Sequence, residues 1–152
     1  MKQHIVIIGG GLVGSSLACA LEDLNIDITL IESVPFDTKD QPSFDGRTIA
    51  LTYSSGRVLE SIGLWSSIKK YSGPIHRIHV SNKGHMGFLK LDRSLIGIDA
   101  LGYVAPTRKL GLAISNKLAA SKNIRYICPA EAEKITNIPN EKHIEVKIKS
   151  EI

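Results

Sequence analysis

Gly9, Gly11 and Gly14 stand in a G-x-G-x-x-G pattern, and Glu32 closes the apolar run that follows. Each glycine has its own physical task in a dinucleotide-binding turn. Gly9 permits a tight turn, Gly11 lets a pyrophosphate approach the backbone, and Gly14 lets a helix pack closely on a strand. A helix opening at Leu12 and Val13 would offer unpaired N–H groups and a partial positive charge to phosphate oxygens. Glu32 has the spacing of a carboxylate that accepts the hydroxyls of an adenosine ribose. A glycine turn with a purely structural role is the alternative.

The surrounding pattern decides how much this motif means. His4 to Ile8 is a short β-branched run of the kind found in buried parallel strands, and it ends directly on Gly9. Leu12, Val13, Leu17, Ala18, Leu21 and Leu24 then recur at helical spacing, and Ile26, Ile28, Leu30 and Ile31 form a second apolar run. Strand, turn, helix, strand and terminal acid make a βαβ unit around the glycines. The uncharged stretch from Ile5 to Leu21 also resembles a short export signal with Ala18-Cys19-Ala20 as a cleavage site. The glycines argue against that, since each costs about 1 kcal/mol inside a helix.

Other residue types offer less. Cys19 and Cys128 lack the spacing of a zinc or redox pair and read as reduced thiols. His76, His79 and His85 are close in sequence, but the spacing of His76 and His79 does not share one strand face, so polar surface positions are expected. Ser15 and Ser16 at the helix start would satisfy backbone or phosphate oxygens rather than act as nucleophiles. Tyr53, Trp65 and Tyr103 read as core or pocket-wall residues. The chain of 152 residues carries a net charge of +4, with scattered cations and 5% aromatics, which gives no support to nucleic-acid binding. No segment is apolar enough to span a bilayer, and no amphipathic anchor is evident, so a cytoplasmic protein is expected.

Past Glu32, residues Ser33 to Gly46 read as a long loop of the functional kind. Ser54 or Ser55 is expected to cap a helix through Val58, Leu59 and Ile62 that ends at Gly63. Ile75 to Ser81 and Gly87 to Leu91 read as a hairpin turning at Asn82-Lys83-Gly84. Thr107 opens a helix through Leu110, Leu112, Ile114, Leu118 and Ala119, leading to a third parallel strand at Arg125 to Cys128. Ala132 to Ile138 and His143 to Ile148 form a last hairpin around Pro139-Asn140-Glu141, with Ile144, Val146 and Ile148 on one side. Residues 1–152 read as a single domain, and the open edge of that last hairpin suggests a truncated product.

Two further segments make a resemblance specific. Ile7-Ile8-Gly9-Gly10-Gly11-Leu12-Val13-Gly14, followed by Phe44-Asp45-Gly46-Arg47-Thr48-Ile49-Ala50-Leu51, resembles the FAD-dependent aromatic hydroxylases of ubiquinone biosynthesis. Val80 to Phe88 and Ala100 to Val104 extend the likeness toward the octaprenyl-methoxyphenol hydroxylase (UbiH) type. It runs over essentially the whole chain and covers only the N-terminal part of a much longer family pattern.

The resemblance implies that Gly9, Gly11, Leu12, Val13 and Gly14 hold the FAD pyrophosphate and Glu32 the adenosine ribose. It implies that Arg47 and Arg108 reach the cofactor, each weighed against a solvated surface cation. It implies NAD(P)H as electron donor, a polyprenylated phenol as substrate, and other proteins of ubiquinone biosynthesis as partners. The family's later Asp-Gly and Gly-Asp motifs and most of its substrate domain are absent, so catalysis by this chain alone is not expected. The fold expected is α/β: a Rossmann-like FAD-binding βαβ domain with a parallel sheet, an antiparallel hairpin and part of a substrate domain. The competing readings are an NAD-binding module of a dehydrogenase, which the long loop and Asp45-Gly46-Arg47 disfavour, and a non-catalytic product of a disrupted gene.

Overall fold

The computed structural model describes residues 3–36, 46–137 and 144–150. The chain runs β1 (Gln3–Ile8), α1 (Leu12–Leu21), β2 (Ile26–Ile31), β3 (Thr48–Thr52), α2 (Tyr53–Ser61) and α3 (Trp65–Lys69). It continues through β4 (Gly73–Ile75), β5 (Arg77–Ser81), β6 (Phe88–Asp92) and β7 (Gly102–Pro106). It ends with α4 (Thr107–Ala120), β8 (Ile124–Ile127), β9 (Ala130–Asn137) and β10 (Ile144–Ser150). These elements form two compact units, one from residues 1–45 and 111–152, the other from residues 46–110.

The first unit holds a parallel sheet in the order β1-β2-β8. Ile28 and Leu30 of its central strand are 1% and 0% exposed, and in this strand Asp27 alone is exposed, as a parallel strand covered on both faces requires. Helix α1 buries Ser15, Ala18 and Cys19, and α4 buries Ile114 and Leu118. The helix ends are tied by polar contacts. Lys117 Nζ lies 2.8 Å from Glu22 Oε2, and Asn123 Nδ2 donates to the Glu22 carbonyl at 2.7 Å. Burial pushes the Cys19 thiol up to about 11, so it stays protonated and inert.

These ties make two testable statements. Asn123→Ala leaves the Glu22 carbonyl without its donor and should cost about 1 to 2 kcal/mol, read as a lower urea midpoint. The hydrogen bond to Lys117 holds the Glu22 carboxyl below its ordinary value of 4.5. That pair therefore stabilises the fold above pH 4.5 and loses its contribution as pH falls through the lowered value, an effect of about 1 kcal/mol for a pair this accessible. In Glu22→Gln this part of the acid sensitivity should vanish.

The second unit holds an antiparallel sheet in the order β3-β7-β4 and the two-stranded ribbon β5-β6. Trp65, 8% exposed, meets the Tyr103 ring edge-on at 4.7 Å, and Tyr53, Trp65 and Tyr103 together line one cleft, as expected of core or pocket-wall residues.

Several boundaries differ from expectation. Helix α1 stops at Leu21, leaving Leu24 exposed, because Asn25 and the turn before it release the chain into β2. The cap of α2 is Thr52, whose Oγ1 accepts the Ser55 N–H at 3.1 Å, rather than Ser54 or Ser55. The strand expected from Ile75 to Ser81 breaks at His76, where Ile75 pairs with β7 and Arg77 begins the ribbon. In the last hairpin Glu133 is an extra residue between the pairs Lys134–Lys147 and Ala132–Ile148, and its carboxylate meets Lys147 Nζ at 2.9 Å. The expected turn at 139–141, the side chain of Ile144 and most of the loop from Ser33 to Gly46 lie outside the described residues.

Candidate functional site

At the carboxyl end of β1 the backbone turns on Gly9, whose φ of +98° an L side chain rarely adopts. Its N–H donates to the Ile31 carbonyl at 2.8 Å, fastening the turn to β2. Ser15 is fully buried and its Oγ donates to the Gly10 carbonyl at 2.6 Å. That resolves the role of Ser15 in favour of the backbone.

The glycines divide by what a side chain would meet. A Cβ on Gly14 would overlap the Gly9 carbonyl oxygen and lie 3.3 Å from Ile7 Cγ2, so this glycine is what lets α1 sit on β1. A Cβ on Gly11 would meet nothing within 4 Å. Packing therefore does not explain Gly11, and an open approach to the backbone does. Gly11 is also the N-cap of α1 and supplies no side-chain acceptor, which leaves the N–H groups of the first turn directed outward beside the exposed Val13. An anionic ligand with two phosphates fits this donor set.

Glu32 follows β2. Its Oε2 accepts the Gly10 N–H at 2.6 Å, and its Oε1 accepts the Val34 N–H at 2.8 Å. A carboxylate has about four lone-pair sites, so acceptor capacity for ribose hydroxyls remains. The Glu32 backbone is held from both sides, its N–H donating to the Ile127 carbonyl at 3.0 Å and its carbonyl accepting the Ala130 N–H at 2.8 Å. Ile8, Gly9, Ile31, Glu32, Ser33 and Ala130 line a cleft of about 280 Å³ at the carboxyl ends of β1 and β2. Ligands of open α/β sheets bind at this end of the strands.

Sequence reasoning missed two members of this site. Gly10 is shut in, since a Cβ there would lie 2.7 Å from Glu32 Cβ and 3.2 Å from Tyr126 Cε2. Tyr126 of β8 supplies that wall, and its phenol is pushed upward first by burial and then by its hydrogen bond to Cys128. The middle position of a G-G-G run could have signalled the first; nothing local signals a tyrosine on a strand that arrives so late in the chain.

Arg47 and Arg108 both lie in the unit of residues 46–110 and both are exposed. Thr107 joins them, donating from its N–H at 3.0 Å and from its Oγ1 at 2.9 Å to the Arg47 carbonyl. The two arginines thus flank one junction between β3 and α4. Among the described residues no trio of His, Cys, Asp or Glu could hold a metal ion, and His79 stacks on Phe88 at 5.3 Å.

A family profile described as an FAD binding domain matches residues 2–142. The chain belongs to this FAD-binding domain family. Among curated proteins the domain is 30% identical over 92% of its length to the Synechocystis protein slr1300, covering 33% of that protein. It is 32% identical over 83% of its length to the ubiquinone hydroxylase UbiL of Rhodospirillum rubrum, covering 29% of it. The structure of the p-nitrophenol 4-monooxygenase PnpA of Pseudomonas putida superposes with a TM-score of 0.76 at 17% identity, over 99% of this domain and 37% of that chain, and shows the shared fold. The FAD-binding domain described here spans about a third of the length of these relatives.

Proposed function

We propose that the chain is the FAD-binding portion of an NAD(P)H-dependent aromatic-ring hydroxylase that acts on a polyprenylated phenol in ubiquinone biosynthesis. The observation that carries the cofactor assignment is the contrast between Gly11, open to a ligand, and Gly14, closed by packing, at the uncapped start of α1. The likeness to a ubiquinone hydroxylase supports the pathway and the phenolic substrate, and the octaprenyl-methoxyphenol type is the finer reading that the sequence motifs favour. In this reading the chain works on the cytoplasmic side with other proteins of that pathway.

FAD, when bound, supplies electron transfer and the activation of molecular oxygen, chemistry that belongs to the cofactor. The protein's task is placement. The N–H groups at Leu12 and Val13 would hold the pyrophosphate, with Gly11 giving it access and Glu32 accepting the ribose hydroxyls. Arg47 and Arg108 would contribute positive charge toward the cofactor from the junction that Thr107 fastens.

Calorimetric titration of the purified chain with FAD and with NAD tests the assignment. Tighter binding of FAD is expected, and tighter binding of NAD would return the chain to the dehydrogenase reading. Glu32→Ala removes charged acceptors worth about 1.5 to 3 kcal/mol each, so FAD affinity should drop at least about tenfold. Glu32→Gln, which keeps an acceptor for the Gly10 N–H, should retain the fold and recover part of the affinity.

A further inference from the structure

Gly10 is held at three points. Its N–H donates to Glu32 Oε2 at 2.6 Å, its carbonyl accepts from the Oγ of the fully buried Ser15 at 2.6 Å, and Tyr126 Cε2 stands 3.2 Å from where a Cβ would be. That same Cβ would lie 2.7 Å from Glu32 Cβ and 3.2 Å from its Cγ, so the glutamate stem and the phenol ring crowd one backbone position. The register explains how they meet. Leu30 of β2 stands opposite Tyr126 of β8, and the alternation carries Glu32, two residues past Leu30, onto the face from which Tyr126 rises. The Tyr126 hydroxyl donates to Cys128, two residues further along that face, which draws the ring toward the carboxyl end of the sheet where the cleft lies.

We infer that Tyr126 is a positioning residue of this site: its ring holds Gly10 against the Glu32 stem and so keeps the carboxylate turned toward the ribose hydroxyls of an arriving dinucleotide. The inference rests on the reading of Glu32 as the ribose acceptor. A glutamate side chain left free to rotate costs a ligand about tenfold in affinity when binding must order it. Here the fold has ordered it already. Oε2 is fixed by the Gly10 N–H, and Gly10 cannot follow a swinging carboxylate because Ser15 and Tyr126 hold it from two other sides. Removing the ring frees the Glu32 side and leaves the Ser15 bond in place, so the loss should fall on ribose recognition and spare the phosphates.

Calorimetric titration of the full chain with ADP and with dideoxy-ADP, which lacks both ribose hydroxyls, tests this. The parent chain should prefer ADP by at least about tenfold, since the hydroxyls bond a charged acceptor. Tyr126→Val keeps a strand-forming residue too short to reach Gly10 and should cut that preference by about five- to tenfold, with affinity for dideoxy-ADP unchanged. Tyr126→Phe, which keeps the ring, should restore most of the preference, and Tyr126→Val added to Glu32→Ala should change it no further. Should Tyr126→Val fail to fold by circular dichroism, Tyr126→Leu takes its place. A preference that Glu32→Ala abolishes but neither shortened side chain alters overturns the role of Tyr126 alone. Equal loss for both ligands also overturns it, because the ring then merely supports the fold. A parent chain that does not favour ADP overturns the ribose reading of Glu32, and this inference with it.

Discussion

Gly11→Val should abolish measurable FAD binding while the chain stays folded. The valine side chain enters space that no protein atom occupies within 4 Å of its Cβ, so packing is undisturbed. The backbone there, at φ −65° and ψ −173°, is extended and open to any residue. What remains is a less favourable cap, worth about 1 kcal/mol, or a melting temperature lower by about 2 to 4 °C. A pyrophosphate held by the first turn of α1 would be pushed off its donors, and losing two charge-assisted hydrogen bonds costs about 3 to 6 kcal/mol. Affinity should therefore fall by more than about 100-fold. Calorimetry and a thermal melt on the same sample check both halves, and retained FAD affinity would remove Gly11 from the site.

Gly14→Ala should do the reverse of what Gly11→Val does to the fold. A single methyl group would overlap a backbone carbonyl, that of Gly9, which has no rotamer to give way. Helix α1 must then lift from β1, weakening the contact of Ala18 and Cys19 with the sheet and the seat of the buried Ser15. The cost should be about 3 kcal/mol, the upper part of the range for overpacking. FAD affinity falls with it, because the first turn that would carry the phosphates is displaced. Urea denaturation monitored by circular dichroism gives the measure. A variant as stable as the parent chain would mean that α1 can shift freely.

The contrast between the two glycines was half legible in the sequence. The βαβ unit is readable from Ile5 to Glu32 because its strands are short runs rich in isoleucine and valine, and the glycines punctuate them. The long helix before the third parallel strand was readable from the helical spacing of Leu110, Ile114 and Leu118. Strands β3 and β7 were not. In β3 the burial falls on Leu51 alone of five residues, and β7 begins with Gly102 and ends with Pro106, residues that read as breaks. Helix α3 is a little over one turn, too short for any periodicity. At the site, Gly9, Gly14 and Glu32 have local signatures, whereas the wall supplied by Tyr126 depends on a strand pairing between residues about a hundred positions apart. The Arg47–Thr107 contact is hidden likewise.

The order β1-β2-β8 also has a consequence for how the chain is made. Strands β1 and β2 leave the ribosome early and can pair at once, but the partner for the far edge of β2 is Ile124–Ile127. At synthesis rates of about 5 to 20 residues per second, that edge waits about 5 to 20 s. The exposed ladder is Ile28, Thr29, Leu30 and Ile31, a β-prone run without charge or proline to deter other strands. Every residue of the intervening unit lengthens the loop to be closed and the time the edge stands open. Aggregation of this chain should therefore be decided during translation more than by the stability of the finished fold, and slowing elongation between residues 32 and 123 should lower the soluble yield of a chain whose melting temperature is unchanged.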